Sequence, residues 1–148
     1  MRRLASSDVD ALRTLAAASE AEGFRFLARF VRELADGTVT LGERQDYFLG
    51  VFDHGELLAV GGVTPDPYTD RRDTGRIRHV YVAPSFRRTG IGRMLMAALE
   101  EHACSSYAVL RLRTDTAAAA QFYEALGYER TSEPNATHRR RFSPRLGG

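Results

Sequence analysis

Two rhythms of apolar residues run along the chain, and the changes between them mark its elements. Val9, Leu12, Leu15 and Ala16 fall on one face of a helix, with Ser6 or Ser7 placed to cap it. Leu27, Phe30, Val31 and Leu34 repeat at the i, i+3, i+4, i+7 spacing of a second buried stripe, and Gly37 is placed to end it. The rhythm then shortens to that of strands. Tyr47–Phe52 and Leu57–Val63 are apolar runs separated by Asp53-His54-Gly55-Glu56, the pattern of a hairpin turn. A loop begins at Pro65-Asp66-Pro67 and continues through Asp70-Arg71-Arg72-Asp73. Ile77–Ala83 is a further strand, ended by Pro84, which has no N–H for a ladder.

Helical spacing returns after Arg87–Gly92, with Ile91, Met94, Leu95, Ala98, Leu99 and His102 on one predicted face. Ala108–Thr114 reads as a strand with Leu110 and Leu112 on one side. Thr114, Asp115 or Thr116 caps a last helix whose stripe is Ala119, Phe122, Tyr123 and Leu126, closed by Gly127. Tyr128–Phe142 reads as one or two short strands. The order predicts a mixed α/β domain spanning 1–148 as a single unit.

Composition narrows the picture only a little. A chain of 148 residues is one ordinary domain, long enough for a core without disulfides or metals. Lys plus Arg is 21 and Asp plus Glu is 19, so the net charge of +2 demands neither a nucleic acid nor an acidic membrane. The single cysteine, Cys104, has no disulfide partner in the chain, as suits a reducing compartment. No segment has the length and apolarity of a membrane span. Met1-Arg2-Arg3 has the charge of a signal n-region, but Asp8, Asp10 and Arg13 interrupt the stretch after it, so no apolar h-region forms. A cytoplasmic enzyme or binding module is the expectation. The histidines His54, His79, His102 and His138 show no metal-ligand spacing with one another or with Cys104, so no metal is expected.

The chemistry concentrates in Val80-Tyr81-Val82-Ala83-Pro84-Ser85-Phe86-Arg87-Arg88-Thr89-Gly90-Ile91-Gly92, where a strand runs through a turn into two glycines and a helix. The first turn of a helix presents unpaired N–H groups, and with the dipole they form an anion site. Gly90 and Gly92 carry no side chains to keep phosphate oxygens off the backbone. Arg87, Arg88 and Arg93 add positive charge, so the segment suits a pyrophosphate. It is not a Walker loop, which needs Gly-Lys-Ser or Gly-Lys-Thr, nor a dinucleotide fingerprint, whose third glycine would stand where Leu95 does.

Arg87-x-x-Gly90-x-Gly92, preceded by Tyr81-Val82-x-Pro84, resembles the acetyl-CoA loop of the GNAT N-acetyltransferase superfamily. Ala119-x-x-Phe122-Tyr123-x-x-x-Gly127-Tyr128 resembles that family's second hallmark at the right distance. The likeness is strong over Ile77–Tyr128 and topological before it. It implies the GNAT acyl-CoA N-acyltransferase fold, a mixed central sheet flanked by helices, with acetyl-CoA as co-substrate. By the same resemblance, Val82, where neighbouring strands splay, binds pantetheine and the thioester carbonyl, next to Tyr81. The amides of Arg88, Thr89, Gly90, Ile91, Gly92 and Arg93 hold the pyrophosphate, with Arg87 at its edge. Ala119 and Phe122 lie by the cofactor, and Tyr123 is the general acid. The family often has Asn at the position of Thr116, whose hydroxyl still supplies a hydrogen bond.

The implied chemistry is direct attack of a neutral amine on the thioester, with the Val82 N–H donating to the carbonyl oxygen and Tyr123 to the departing sulfur. The general base is open among His79, Tyr81, Glu43, Glu56, Asp66, Asp70 and a water relay. The acceptor, a small-molecule or peptide amine, is expected between the first two helices and the Pro65–Thr74 loop, where Asp66, Asp70 and Asp73 would attract a cation. The resemblance also allows a homodimer. Two rival readings remain. One is a nucleic-acid module resting on His138-Arg139-Arg140-Arg141-Phe142 and Arg145; the other is a non-catalytic acyl-CoA-binding regulatory module.

Overall fold

A computed structural model describes residues 1–43 and 45–142, so Arg145 of the basic run lies outside the described residues. Seven strands form one mixed sheet in the order β1-β2-β3-β4-β5-β7-β6. In chain order the elements are β1 (Arg2–Arg3), α1 (Val9–Ala21), α2 (Phe26–Asp36), β2 (Tyr47–Asp53), β3 (Glu56–Pro65), β4 (Thr74–Val82), α3 (Ile91–Ala103), β5 (Val109–Leu112), α4 (Ala117–Ala125), β6 (Glu129–Arg130) and β7 (His138–Arg141). The strand pair β4–β5 is parallel; the other neighbouring pairs are antiparallel.

The period-two alternation of the strands divides the core into two layers. Leu12, Leu15, Leu27 and Phe30 of α1 and α2 pack on Phe48, Leu57, Val60 and Tyr81. Leu95, Met96, Leu99 and Ala103 of α3 pack on Leu49, Val51, Ala59, Val63, Ile77, Leu110 and Leu112, with Tyr123 of α4. Leu110 and Leu112 share a side, as their spacing predicts. In α3 the buried stripe is turned by about one position, because Met94 is exposed and Met96 is buried. A stripe read from sequence is wide enough to hide a shift of this size.

The turns follow the expected chemistry. His54 and Gly55, both at positive φ, close the β2–β3 hairpin, and Gly37 ends α2 in the left-handed conformation. At the start of α1 neither Ser6 nor Ser7 is the cap. Asp8 occupies that position, and its carboxylate accepts from the Ala5 N–H and from both Arg2 Nη atoms, each at 2.8 Å. Thr116 is the cap of α4, its Oγ1 accepting from the Ala119 N–H at 3.1 Å.

Two irregularities of β4 bear on chemistry. First, β4 and β5 pair only at Thr74↔Val109, Gly75↔Leu110 and Arg76↔Arg111, so β4 runs on to Val82 with its β5-side edge unpaired. Second, the β3 register passes from Gly62↔Arg78 to Val60↔Tyr81, so His79 and Val80 together face Gly61. His79 has φ of +59°, a conformation that costs a non-glycine residue. The bulge suspends the alternation of side chains, and consecutive residues Arg78 and His79 both reach Glu33 on α2.

Candidate active site

The site is built outward from the end of β4. The Ala83 N–H bonds Leu58 O at 2.8 Å, so at Val82 the antiparallel alternation turns both backbone groups away from β3 and toward the open edge. The Val82 carbonyl there accepts from Arg87 Nε at 2.9 Å. The Val82 N–H is thereby aimed into the gap left by the splayed strands, where the resemblance places the thioester carbonyl.

The chain then makes a 3-10 turn over Pro84–Phe86, passes Arg88 at φ of +64° and reaches Gly90, the N-cap of α3, at φ of +87°. Met94 N–H to Gly90 O, 3.0 Å, is the first bond of the helix, which leaves the amides of Ile91, Gly92 and Arg93 without intrahelical acceptors. A Cβ at Gly90 would meet nothing within 4 Å. The glycine is needed there for its backbone conformation and leaves an open approach to those amides. Thr89 spends its hydroxyl on Phe86 O and pins the turn. Arg88 and Arg93 are exposed and, among the described residues, make no ion pair.

Gly92 also has a packing task that its motif does not predict. A Cβ there would lie 3.3 Å from Phe122 Cζ and 3.7 Å from Val82 Cγ2. Its missing side chain seats Phe122 against the start of α3 and the end of β4. Phe122 is thus fixed at the corner of the site. Tyr123 beside it is buried, edge-on to Phe122 and to Tyr128 with centroids 5.1 and 5.7 Å apart. Burial raises its pKa well above the ordinary phenol value. No described residue bonds its hydroxyl, whereas the Tyr128 hydroxyl donates to Glu100 at 3.0 Å. The Ala119 N–H is spent on Thr116, so Ala119 offers the site only its methyl group.

Arg87 and Tyr81 turn to the other face of the sheet. Arg87 donates from Nη1 and Nη2 to Glu22 at 2.7 and 2.8 Å, and Tyr81 donates its hydroxyl to the same carboxylate. Glu22 directly succeeds α1 in the chain, which is a poor place for a negative charge beside the helix dipole. Its carboxyl is held below the ordinary range, first by Arg87. Burial and that carboxylate push the Tyr81 pKa up to about 12. Arg87 is therefore not at a pyrophosphate edge in this structure. Tyr81, already donating to a carboxylate, is a poor base, and its side chain lies on the α1–α2 layer and away from the loop amides.

The other base candidates lie elsewhere. His79 is stacked on Phe30 at 4.5 Å with Nε2 3.2 Å from Glu33, and burial lowers its pKa. Glu33, also bonded by Arg78 at 3.0 and 3.1 Å, is held down at about 2, with the His79 hydrogen bond the largest cause. Asp66 is sealed, its side chain 0% exposed, 2.8 Å from Arg111 Nε and 3.6 Å from Arg76 Nη1. Asp73 pairs with Arg71, Glu43 and Asp70 are exposed on loops, and Glu56 is exposed at the start of β3. The Pro65–Thr74 loop stands at the far end of β4, roughly 25 Å from Val82 at about 3.3 Å per residue. A cavity of about 230 Å³, lined in part by Arg71, Asp73, Arg111, Glu133 and Arg139, lies at that far end. Contrary to expectation, the acids of this loop lie too far from Val82 to meet an amine held there. The basic run on β7 is split between sheet faces, with Arg139 on Glu133 at 2.8 Å and Arg140 on Glu100 at 2.6 Å. No described helix is long and apolar enough to cross a membrane.

Two charged residues near the site, Glu22 and Glu33, carry no mark in any sequence motif. Only the unfavourable placing of Glu22 at a helix C-terminus could have drawn attention to it.

Comparison with known proteins agrees with this fold. The profile of the acetyltransferase (GNAT) family matches residues 10–128. Among solved structures, a protein of Exiguobacterium sp. 255-15 assigned as an acetyltransferase is 30% identical with a TM-score of 0.83, covering 95% of this chain and 91% of that one. A GNAT family acetyltransferase from Brucella melitensis in complex with acetyl-CoA is 16% identical with a TM-score of 0.71, covering 98% and 88%. An aminoglycoside 6'-N-acetyltransferase complexed with coenzyme A is 17% identical with a TM-score of 0.69, covering 95% and 94%. No curated protein sequence matches the chain.

Proposed function

The chain belongs to the GNAT acetyltransferase family, and on that premise we propose that it moves an acetyl group from acetyl-CoA to a primary amine by direct attack. The observation that carries this reading is the unpaired edge of β4, which ends in the outward Val82 N–H one short turn before the glycine-started helix α3. Acetyl-CoA supplies the activated acyl group as a thioester.

The chain's own residues supply the rest. The amides of Ile91, Gly92 and Arg93 and the side chains of Arg88 and Arg93 suit a diphosphate. The Val82 N–H donates to the thioester carbonyl, where negative charge grows as the amine attacks. Phe122 walls the corner. Tyr123 stays protonated throughout the physiological range because burial raises its pKa, and it serves as a hydrogen-bond donor to the departing sulfur. A phenol raised this far does not give up its proton outright to a thiolate whose conjugate acid is near 8.5. The sulfur's proton therefore comes in the end from the attacking nitrogen. The splitting of the basic run between two faces favours a small-molecule or peptide acceptor over a nucleic acid.

The test is release of free thiol from acetyl-CoA against a panel of small amines, amino-acid derivatives, aminoglycosides and peptides, with the product identified by mass. An acetylated amine is expected. Coenzyme A binding without any product would give the non-catalytic reading instead.

A further inference from the structure

Arg87 stands where two anions would claim it. Its Nε holds the Val82 carbonyl, while its two Nη atoms hold Glu22. The Glu22 carboxylate is therefore only one guanidinium beyond the end of β4, on the face of α1 and α2. Glu33 is tied up with Arg78 and His79 farther back along β4, and Asp66 is sealed. Glu22 remains partly open, its side chain 25% exposed and that of Arg87 40% exposed. Arg87 belongs to the same loop as the free helix amides, three residues before Gly90.

We propose that Glu22 takes the proton from the acceptor's ammonium group, and that Arg87 is exchanged between Glu22 and the donor's diphosphate, so that Glu22 opens to the amine only once the donor is bound. This rests on the acetyl-CoA reading above. A diphosphate has more negative charge than a carboxylate and lies beside the loop that carries Arg87, so it draws the guanidinium over. Arg87 is the first cause of the lowered Glu22 pKa, and its departure lets that pKa return toward the ordinary range. The charged or titratable groups facing Glu22 are Arg87 from the loop and Tyr81 from β4, and Tyr81, at about 12, does not titrate in the working range. The Tyr81 hydroxyl holds the carboxylate in place after Arg87 has gone.

The step balances. The ammonium nitrogen gives one proton to a Glu22 oxygen and keeps the electron pair. That pair forms the C–N bond to the thioester carbonyl carbon as the C–S bond breaks and its electrons pass to sulfur. The second surplus proton on nitrogen ends on the sulfur, leaving an amide and a thiol, and Glu22 returns its proton to water.

The test uses the full chain and coenzyme A alone, by titration calorimetry, so wild-type binding is read before any question about an amine. Without a competitor for Arg87, Glu22→Gln is expected to bind coenzyme A roughly three- to fivefold more tightly, the size of a part-exposed ion pair. Arg87→Ala is expected to bind it more weakly and to abolish the Glu22→Gln gain. Near pH 5, paired buffers of different ionisation enthalpy should show more proton uptake on binding for wild type than for Glu22→Gln, a difference that cancels the ligand's own titration. Where an acceptor has been found, Glu22→Gln should lower kcat at least tenfold without raising KM for acetyl-CoA. Should the Gln variant fold poorly, Glu22→Asp is expected to shift affinity in the same direction. Unchanged or weaker coenzyme A binding by Glu22→Gln, a gain that survives Arg87→Ala, or equal proton uptake would overturn the exchange. Failure of the wild type to bind coenzyme A would overturn the donor reading beneath it.

Discussion

The two faces of β4 treat their polar groups in opposite ways. On the donor side the Val82 N–H, the amides of Ile91, Gly92 and Arg93, and the cations Arg88 and Arg93 are left unspent among the described residues. On the α1–α2 side the charges are matched within the protein: Glu22 with Arg87, and Glu33 with Arg78 and His79. A site for a fixed anion can be made by withholding partners from backbone donors, because a helix start is rigid and stays solvated when empty. A face of paired side chains needs an exchange of partners before it can receive a charge. On the function and exchange proposed above, the donor half is preformed, while the acceptor half opens when the Glu22–Arg87 pair parts.

Breaking the donor half should have the largest effect. Gly90→Val puts a β-branched residue at φ of +87°, at a cost of about 1–3 kcal/mol, and displaces the amides of α3. Coenzyme A affinity by calorimetry should fall at least tenfold, with helix content by circular dichroism largely kept. Next in size is Tyr123→Phe. Turnover should fall by about 10- to 100-fold with acetyl-CoA affinity nearly unchanged. Its pH profile should keep its shape below about pH 10, because Tyr123 is protonated throughout that range in the wild type. An unchanged kcat at several pH values would remove Tyr123 from the chemistry.

The loop geometry on which the proposed donor half rests was legible because its physics is local. A strand end, a turn, a glycine of positive φ and a helix start lie within a dozen consecutive residues, and Phe122 and Tyr123 form a second short pattern downstream. Even there the motif gives no sign that Gly92 also makes room for Phe122, thirty positions away. The acceptor half joins residues 22 and 87, and 33 and 78, which no spacing rule connects. The bulge at His79 was equally hidden, since a histidine at positive φ carries none of the marks by which a glycine announces such a position. The one-position turn of the α3 stripe and the two-residue strand β1 were missed for another reason: a helical face is broad, and two residues make no period.

The acceptor half should show itself in stability more than in donor binding. The pKa of Glu33 is depressed to about 2, so its contribution is present above the unfolded carboxylate value near 4.5 and is lost as pH falls from there toward 2. Buried, neutral His79 adds a loss in the same direction once pH drops below about 6.5, where the unfolded chain binds the proton first. Glu33→Gln should lower Tm at pH 7 by roughly 3–6 °C and flatten the acid limb of a Tm–pH curve, while leaving coenzyme A affinity within about twofold. The smallest expected effect is that of Arg88→Ala or Arg93→Ala. Each should weaken coenzyme A binding by about two- to fivefold and reduce its salt dependence, because both cations act from exposed positions.

The most direct trial of the account is a calorimetric titration of coenzyme A into three proteins with no amine present: wild type, Gly90→Val and Glu33→Gln. A preformed donor half predicts one-to-one binding to the wild type and to Glu33→Gln with similar affinity, and loss of at least tenfold in Gly90→Val. No binding to the wild type, or equal binding to Gly90→Val, would contradict it.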